Sequence, residues 1–280
     1  MGMNIKLLEK TALTSLEKAY QIHQELGVTG EELVQKNQFG ETALKVDIEI
    51  EKAIIEVLRK AGIPIRIISE EHGITEIGNN PIYLGVLDGL DGSSVYKKKR
   101  GKGRYGTMLG IFSSLDPKYD DYLFSGVMEH STRRLFYAIK GKGSFVITDD
   151  KHESIHCSDN IKLNEKTRIY VDEYFDINKK VFSEKLQGFH LTYSDSSATY
   201  YVDLASGNVD LVLECTRKGN LEIAVAYGLV TESGGVMITL DSRSLGPKKY
   251  LKFGQDGHVP VISSSTKKLA EELIKRIKEN

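Results

Sequence analysis

Val86-Leu87-Asp88-Gly89-Leu90-Asp91-Gly92-Ser93-Ser94 ends an apolar run that begins at Ile82. A strand end is where a side chain leaves a rigid sheet for a cleft. Two aspartates separated by two residues on a tight turn can aim at a common point, and the Leu90 carbonyl can turn inward beside them. Hard oxygen donors of this kind suit Mg²⁺ rather than zinc. Gly92-Ser93-Ser94 then offers backbone N–H groups without bulky side chains, a cradle for a phosphate. The plainer reading is an Asp-Gly turn with solvated carboxylates, since Asp-Gly is common in turns. Context weighs against it. The strand-like run Ile65–Ile68 ends in Ser69-Glu70-Glu71, so a second strand end also delivers carboxylates. Alone, Glu70-Glu71 reads as a solvated pair. Beside Asp88 and Asp91 it raises a charge problem: like charges about 4 Å apart repel by about 4 kcal/mol at an effective dielectric of about 20. A site that collects three or more carboxylates needs protons or cations.

The rest of the chain is ordinary for a globular protein. Its 280 residues carry 38 Lys+Arg against 39 Asp+Glu, a formal net charge of -1, with 40% hydrophobic and 28% charged residues. That balance gives no global field for gripping nucleic acid or an anionic membrane. No run reaches the length of a membrane span, and Met1-Gly2-Met3-Asn4-Ile5-Lys6 lacks the apolar stretch of a signal peptide. Two distant cysteines, Cys157 and Cys215, make neither a disulfide framework nor a thiolate zinc site. The expectation is a soluble, cytoplasmic protein with no nucleic-acid or membrane partner.

Hydrophobic spacing predicts an N-terminal helix through Leu8, Ala12, Leu16, Ala19 and His23, and a second after Asp47 through Ile50, Ala53, Ile54, Val57 and Leu58. Gly62 and Pro64 end the second. Strands are expected at Ile65–Ile68, Ile82–Leu87, Gly106–Phe112, Leu123–Met128 and Leu135–Ile139. Their succession without helices implies a largely antiparallel sheet. The second half alternates: strands at Arg168–Val171 and Val209–Leu213, helices at Val181–Leu186, Ser196–Ala205 and Leu221–Thr231, and an amphipathic helix at Thr266–Glu279. The polar stretch Thr148–Asn160 is the expected boundary between an N-terminal subdomain, residues 1–148, and a C-terminal one, residues 149–280.

Several motifs, in order, carry a resemblance. Asp88-Gly-Leu-Asp91-Gly-Ser93 resembles the D-P-[IL]-D-G-[ST] signature of the inositol monophosphatase and fructose-1,6-bisphosphatase superfamily, with Tyr96 and Lys98 at its later positions. Ser69-Glu70-Glu71 is similar to the family's G-E-E element and Gly141-Lys-Gly-Ser-Phe145 to its G-K-G-A-F turn. Leu221-Glu222-Ile-Ala-Val-Ala226 through Glu232-Ser-Gly-Gly235 resembles W-D-x-A-x-(A/G)…E-A-G-G. Lys36 and Asp47 stand at the spacing of a family lysine and aspartate. The resemblance spans about residues 36 to 236.

It implies an α+β fold, the layered α-β-α-β-α sandwich of the sugar phosphatases, with an antiparallel N-terminal sheet and an alternating C-terminal half. It also implies a phosphomonoesterase with two to three Mg²⁺ ions. Glu70, Asp88 and the Leu90 carbonyl would hold the first. Asp88 would bridge to a second, shared with Asp91 and Glu222, and Asp47 and Glu70 would border a third. Catalytic roles fall to Asp47, Glu70 and Ser93. Asp47 and the Ser93 hydroxyl would orient a water that the metals acidify. Lys36, Gly92, Ser93, Ser94, Ser196, Ser197 and Glu214 would bind substrate, the last three near sugar hydroxyls. Inositol monophosphate and fructose 1,6-bisphosphate are the implied substrates. A 3′-phosphorylated nucleotide and a catalytically weak phospholigand-binding protein are the alternatives. The family is usually homodimeric, and the chain is expected to be so. Three departures stand out: Gly89 for the family proline, Ser93 for the commoner threonine, and Leu221-Glu222 for Trp-Asp. The glutamate reaches one methylene further than aspartate.

Lys97-Lys-Lys-Arg100-Gly-Lys102-Gly-Arg104 packs six positive residues into eight. It reads either as a solvated loop or as a rim that attracts an anionic substrate and holds a second phosphate. Gly101-Lys-Gly103-Arg-Tyr-Gly106 matches G-x-G-x-x-G only formally, because charge precedes it and strand-like sequence follows. His152 and His156 fall in polar, loop-like sequence and predict no zinc site.

Overall fold

The computed structural model describes residues 5–37, 40, 42–100, 102–193, 195–217, 219–255 and 257–279. Gly101 of the basic run and Ser194 beside the serine pair lie outside the described residues. Five layers stack in the order α-β-α-β-α, as the resemblance implies. The first is α1 (Ile5–Leu26) and α2 (Lys45–Lys60). Leu8, Ala12, Leu16 and Ala19 of α1 and Val46, Ile50, Ile54 and Leu58 of α2 are buried at helical spacing. A short hairpin, β1 (Leu33–Lys36) with β2 (Thr42–Leu44), joins them.

The second layer is an eight-stranded sheet of β3 (Ile65–Ser69), β4 (Gly73–Ile77), β5 (Tyr83–Asp91), β6 (Gly106–Phe112), β7 (Tyr122–Glu129), β8 (Arg134–Ile139), β9 (Gly143–Thr148) and β10 (Lys151–Ile155), with α3 (Ser93–Lys99) between β5 and β6. Spatial order is β10-β9-β8-β7-β6-β5-β3-β4, antiparallel throughout except for the parallel β3–β5 pair. Period-two alternation sorts its side chains. Leu87, Leu109, Ile111 and Phe124 pack with α1 and α2, while Leu84, Val86, Met108 and Val127 face the opposite core.

That opposite core holds α5 (Ser197–Ala205) and α6 (Leu221–Glu232), beyond which lies the second sheet. Residues 223–230 of α6 are all buried, as a helix apolar on every side must be. The second sheet orders β11 (Ile169–Val171), β12 (Leu191–Thr192), β13 (Leu211–Cys215), β14 (Val236–Thr239) and β15 (Pro260–Ser264) as β12-β11-β13-β15-β14. Its first three strands are parallel, and β15 and β14 run antiparallel to their neighbours. α4 (Asp176–Val181) and α7 (Lys267–Glu279) belong to the outer, fifth layer; Leu269, Leu273 and Ile274 of α7 are buried there.

Three details differ from the sequence reading. The stretch Thr148–Asn160 contains β10, which returns onto β9 from Lys151↔Thr148 to Ile155↔Ser144, so the chain leaves the first sheet only after Ile155. His152 is therefore on a strand, its Nδ1 3.0 Å from the Tyr137 hydroxyl. The helix expected at Val181–Leu186 lies earlier, at Asp176–Val181, and a 3₁₀ turn occupies Ser183–Lys185. Among the described residues no helix is long and apolar enough to cross a membrane.

Candidate active site

β5 lies between β3 and β6, and all nine of its residues are buried. On a regular strand, residues three apart point to opposite faces. Asp88 pairs with Met108 but Asp91 pairs with Gly106, so β5 uses one more residue than β6 over the same interval. That is a β-bulge, and its extra residue returns both aspartates to one side. Carboxylate oxygens of Asp88, Asp91 and Glu222, the last in the first turn of α6, all lie within 4.8 Å of one another. Gly89 in the bulge allows α2 to press close. A Cβ there would stand 2.7 Å from the Asp47 carbonyl oxygen and 2.9 Å from Glu51 Cγ.

Each carboxylate is positioned by a neighbouring element. The Leu90 N–H donates to Asp88 Oδ1 at 2.9 Å. Asp91 Oδ2 accepts from the Ser196 hydroxyl at 2.5 Å and from Ala198 N at the start of α5 at 2.7 Å. Asn37 Nδ2 donates to Glu70 at 3.2 Å. Asp47 sits in the first turn of α2, 5% exposed, and its Oδ1 is buried without a hydrogen-bond partner among the described residues. Glu51, one turn later and fully buried, accepts from the backbone N–H groups of Glu71 and His72 and lies 2.8 Å from His72 Nδ1. It thereby fixes the chain just beyond Glu70. His72 titrates above the ordinary histidine range because of its hydrogen bond to Glu51.

A cleft of about 170 Å³ opens over this cluster. Glu70, Asp88, Leu90, Asp91 and Glu222 line it, with Gly92, Ser93 and Ser94. Gly92 precedes α3 with φ of 87°, and a helix's first N–H groups have no intrahelical acceptor, so those of Ser93 and Ser94 are free of the helix ladder. Asp172, Tyr174, Phe175, Tyr193, Asp195 and Arg217 complete the lining. Among the described lining residues Arg217 is the sole cation. Its Nη2 lies 2.5 Å from Glu222 Oε1 and 3.2 Å from Ser197 Oγ.

Electrostatically the cluster is under-neutralised. Burial, then the charges of Glu70, Asp91, Glu222 and Asp47, push Asp88 well above the carboxylate range. Burial and the Glu222 charge raise Asp91 to about 7, against its hydrogen bonds from Ser196 and Ala198. Burial and the charges of Glu70, Glu71 and Glu51 raise Asp47. Burial would lower Arg217, but Glu222, Glu214 and Asp172 hold it charged. Oxygen donors that resist ionisation until a positive charge arrives have the chemistry of a hard-cation site. The set fits a divalent ion.

Of the predicted site residues, Glu70, Asp88, Leu90, Asp91, Gly92, Ser93, Ser94, Ser196, Ser197 and Glu222 line the cleft. Asp47 does not line it. The Ser196 hydroxyl donates a hydrogen bond to Asp91 and accepts one from Thr199 N as the cap of α5, so it is engaged within the protein. Lys36 is exposed on β1 and does not line the cleft. Glu214 is 1% exposed on β13, accepts from the Tyr201 hydroxyl, and is pushed up to about 8 by burial; it lies behind the cleft wall. The basic run turns elsewhere. Lys97, Lys98 and Lys99 end α3 in solvent, Arg100 pairs with Glu31, and Arg104 with Asp203 at 2.8 Å and Glu129 at 2.5 Å. None of its described residues lines the cleft, because helix α3 carries them away from Gly92. The G-x-G-x-x-G stretch follows a helix and precedes β6, the reverse of a dinucleotide loop.

Sequence reasoning missed Asp172, Arg217 and Glu51. Asp172 follows β11 directly, the same strand-end signal that singled out Asp88. Arg217 belongs to the basic pair Arg217-Lys218 between Glu214 and Glu222, outranked in sequence by the longer basic run. Glu51 is four residues after Asp47, on the same helical face.

The sequence model of the inositol monophosphatase family matches residues 3–280. The chain belongs to the inositol monophosphatase family. It is thus a member of a family of phosphatases, and the resemblance read from its motifs holds along the whole chain. A curated relative, the fructose-1,6-bisphosphatase/inositol-1-monophosphatase of Methanothermobacter thermautotrophicus, is 27% identical over 214 residues, covering 74% of each chain. The bifunctional NADP phosphatase/NAD kinase of Methanocaldococcus jannaschii is 25% identical over 248 residues, 79% of this chain but 42% of that protein. Among solved structures, an IMPase of Thermotoga maritima superposes with a TM-score of 0.73 at 19% identity, covering 95% of this chain and 96% of that one, which shows the shared fold. Of the three departures read in the sequence, Gly89 lies in the bulge, Ser93 opens α3 and Glu222 lies beside Arg217.

Proposed function

We propose that the protein is a Mg²⁺-dependent phosphatase of small polyol monophosphates, with inositol monophosphate preferred over fructose 1,6-bisphosphate. The observation that carries this reading is the lining of the cleft. It gathers Asp88, Asp91 and Glu222 within 4.8 Å and adds the carboxylates of Asp172 and Asp195 beside tyrosines. Carboxylates accept hydrogen bonds from sugar hydroxyls and repel a second phosphate. The basic run that would hold that phosphate is not on the cleft wall.

Glu70, Asp88, the Leu90 carbonyl, Asp91 and Glu222 would hold the ions. When bound, these supply charge neutralisation at the phosphate and acidify water. The N–H groups of Gly92 and Ser93 hold the phosphoryl oxygens in place. Ser93 Oγ and Glu70, both on the cleft wall, orient the attacking water, and the Glu70 carboxylate takes its proton. Asp172 and Asp195 accept from the polyol hydroxyls, which fixes the ester bond in line with that water.

A second reading is a nucleotide substrate. Tyr174, Phe175 and Tyr193 bring aromatic rings to the cleft lining, and the Methanocaldococcus relative is named a bifunctional NADP phosphatase/NAD kinase. Phosphate release from inositol 1-phosphate, fructose 1,6-bisphosphate, NADP and adenosine 3′,5′-bisphosphate, with and without Mg²⁺, separates the two. The first reading expects the highest kcat/KM on inositol 1-phosphate and none without the ion. A preference for NADP favours the second, and no release from any of the four defeats both.

A further inference from the structure

Glu222 faces both a carboxylate cluster and a guanidinium. Its carboxylate belongs to the group whose oxygens lie within 4.8 Å of one another with Asp88 and Asp91, yet its Oε1 is 2.5 Å from Arg217 Nη2. The loop between β13 and α6 makes this contact. Gly219 and Asn220 both take left-handed backbone, with φ of 81° and 46°, and fold the chain back so that Arg217 lies over the first turn of α6. Asn220 Nδ2, 2.6 Å from the Tyr119 hydroxyl, anchors that turn. The guanidinium also rests over the Phe175 ring at 5.1 Å and reaches Ser197 Oγ at 3.2 Å. It is held from three directions. The glutamate, one methylene longer than aspartate, has the reach to serve either partner.

We propose that Arg217 is a resident cation that competes with a divalent ion for Glu222, so that the ion shared by Asp88, Asp91 and Glu222 binds weakly until the guanidinium is displaced. The inference rests on the reading of this cluster as a divalent-metal site. A positive charge on Glu222 both occupies a ligand and repels a second positive charge a few ångströms away. Because linkage is reciprocal, whatever the Arg217 pair takes from ion affinity, ion binding takes from the pair. Arg217 thereby tunes occupancy of the second ion rather than touching the reacting phosphate.

The test is Mn²⁺ titration of the metal-stripped full chain without substrate, by calorimetry and by the electron paramagnetic resonance of free Mn²⁺. Arg217→Met is expected to tighten the weaker ion by about tenfold or more, with the tighter ion little changed. In a Glu222→Gln background the same substitution is expected to give a clearly smaller gain, since no carboxylate remains to be freed and only the repulsion between the two cations is relieved. Arg217→Gln, which is neutral but can still hydrogen-bond Ser197, carries the same expectation if the methionine variant does not fold. Unchanged Mn²⁺ affinity and stoichiometry in the folded neutral variant overturns the proposal. So does a gain of undiminished size in the Glu222→Gln background. If wild type binds no Mn²⁺ at all, the metal-dependent reading itself falls; if it binds Mn²⁺ but is indifferent to Arg217, only this inference does.

Discussion

Two buried polar clusters flank the same bulge, and they are built to opposite rules. In front are Asp88, Asp91 and Glu222, with the two aspartates raised in pKa because burial and mutual repulsion are not offset. Behind are His23, Tyr105, Thr107 and His130. There the Thr107 hydroxyl donates to the Gly89 carbonyl at 2.7 Å, so its single proton is used and it must accept from His130 Nε2–H at 2.8 Å. That fixes His130 as the neutral Nε2–H tautomer. His23 stacks on it at 4.4 Å and reaches the Tyr105 hydroxyl at 3.1 Å. The rear cluster is neutral and nearly closed, and it braces the bulge. The front one is charged and open. Buried groups left unbalanced mark chemistry, and groups that satisfy each other mark support.

Breaking the front cluster should cost activity and not stability. Asp88→Asn is expected to lower kcat by about a thousandfold, while thermal melting in chelator stays level or rises because a repelled buried charge is removed. A loss of both together would place Asp88 in the support class. Glu51 lies between the two classes: it is a buried carboxyl group near the open cluster, yet its hydrogen bonds fix the chain beside Glu70. Glu51→Ala should destabilise by about 3 kcal/mol, measured by denaturant unfolding, and weaken metal binding as well.

The rear cluster should show the converse. Thr107→Val leaves the Gly89 carbonyl and His130 Nε2–H unpaired, which should cost about 1–3 kcal/mol with only a small change in kcat. Its pH response sharpens the contrast. Burial, then the Arg100 charge, lowers His23 to about 4, and burial with the His23 charge lowers His130. Unfolded histidines near 6.5 bind protons that the native pair refuses, so this stability is complete above pH 6.5. It is lost as pH falls from there towards about 4. Unfolding free energy measured across that range should fall less steeply in His23→Gln. The smallest effect is expected at the basic run: Lys97→Ala with Lys98→Ala should leave KM unchanged, because neither side chain lines the cleft.

How much of this the sequence discloses follows from the range of each signal. Helices α1, α2, α6 and α7 and strands β5 to β8 announce themselves through long periodic apolar runs, and the motif order discloses the layered fold. β14 and β15 are short, and β15 is rich in serine, so their pairing depends on partners distant in sequence. β10 reads as loop because its side chains are polar and mostly exposed. At the site, strand ends disclose Glu70, Asp88 and Asp91, whereas the hydrogen bond by which Ser196 holds Asp91 joins residues 105 apart and shows only in the fold. Arg217 required the fold, since only the turn at Gly219 and Asn220 sets it on Glu222.

The central claim is that the open cluster at the end of β5 is a metal-dependent phosphatase centre. Mg²⁺-dependent phosphate release from inositol 1-phosphate, by wild type and Asp88→Asn side by side, tests it most directly. The account predicts turnover by wild type that chelator abolishes and Mg²⁺ restores, with Asp88→Asn folded and inactive. Equal turnover by the two proteins, or turnover indifferent to chelator, would contradict it.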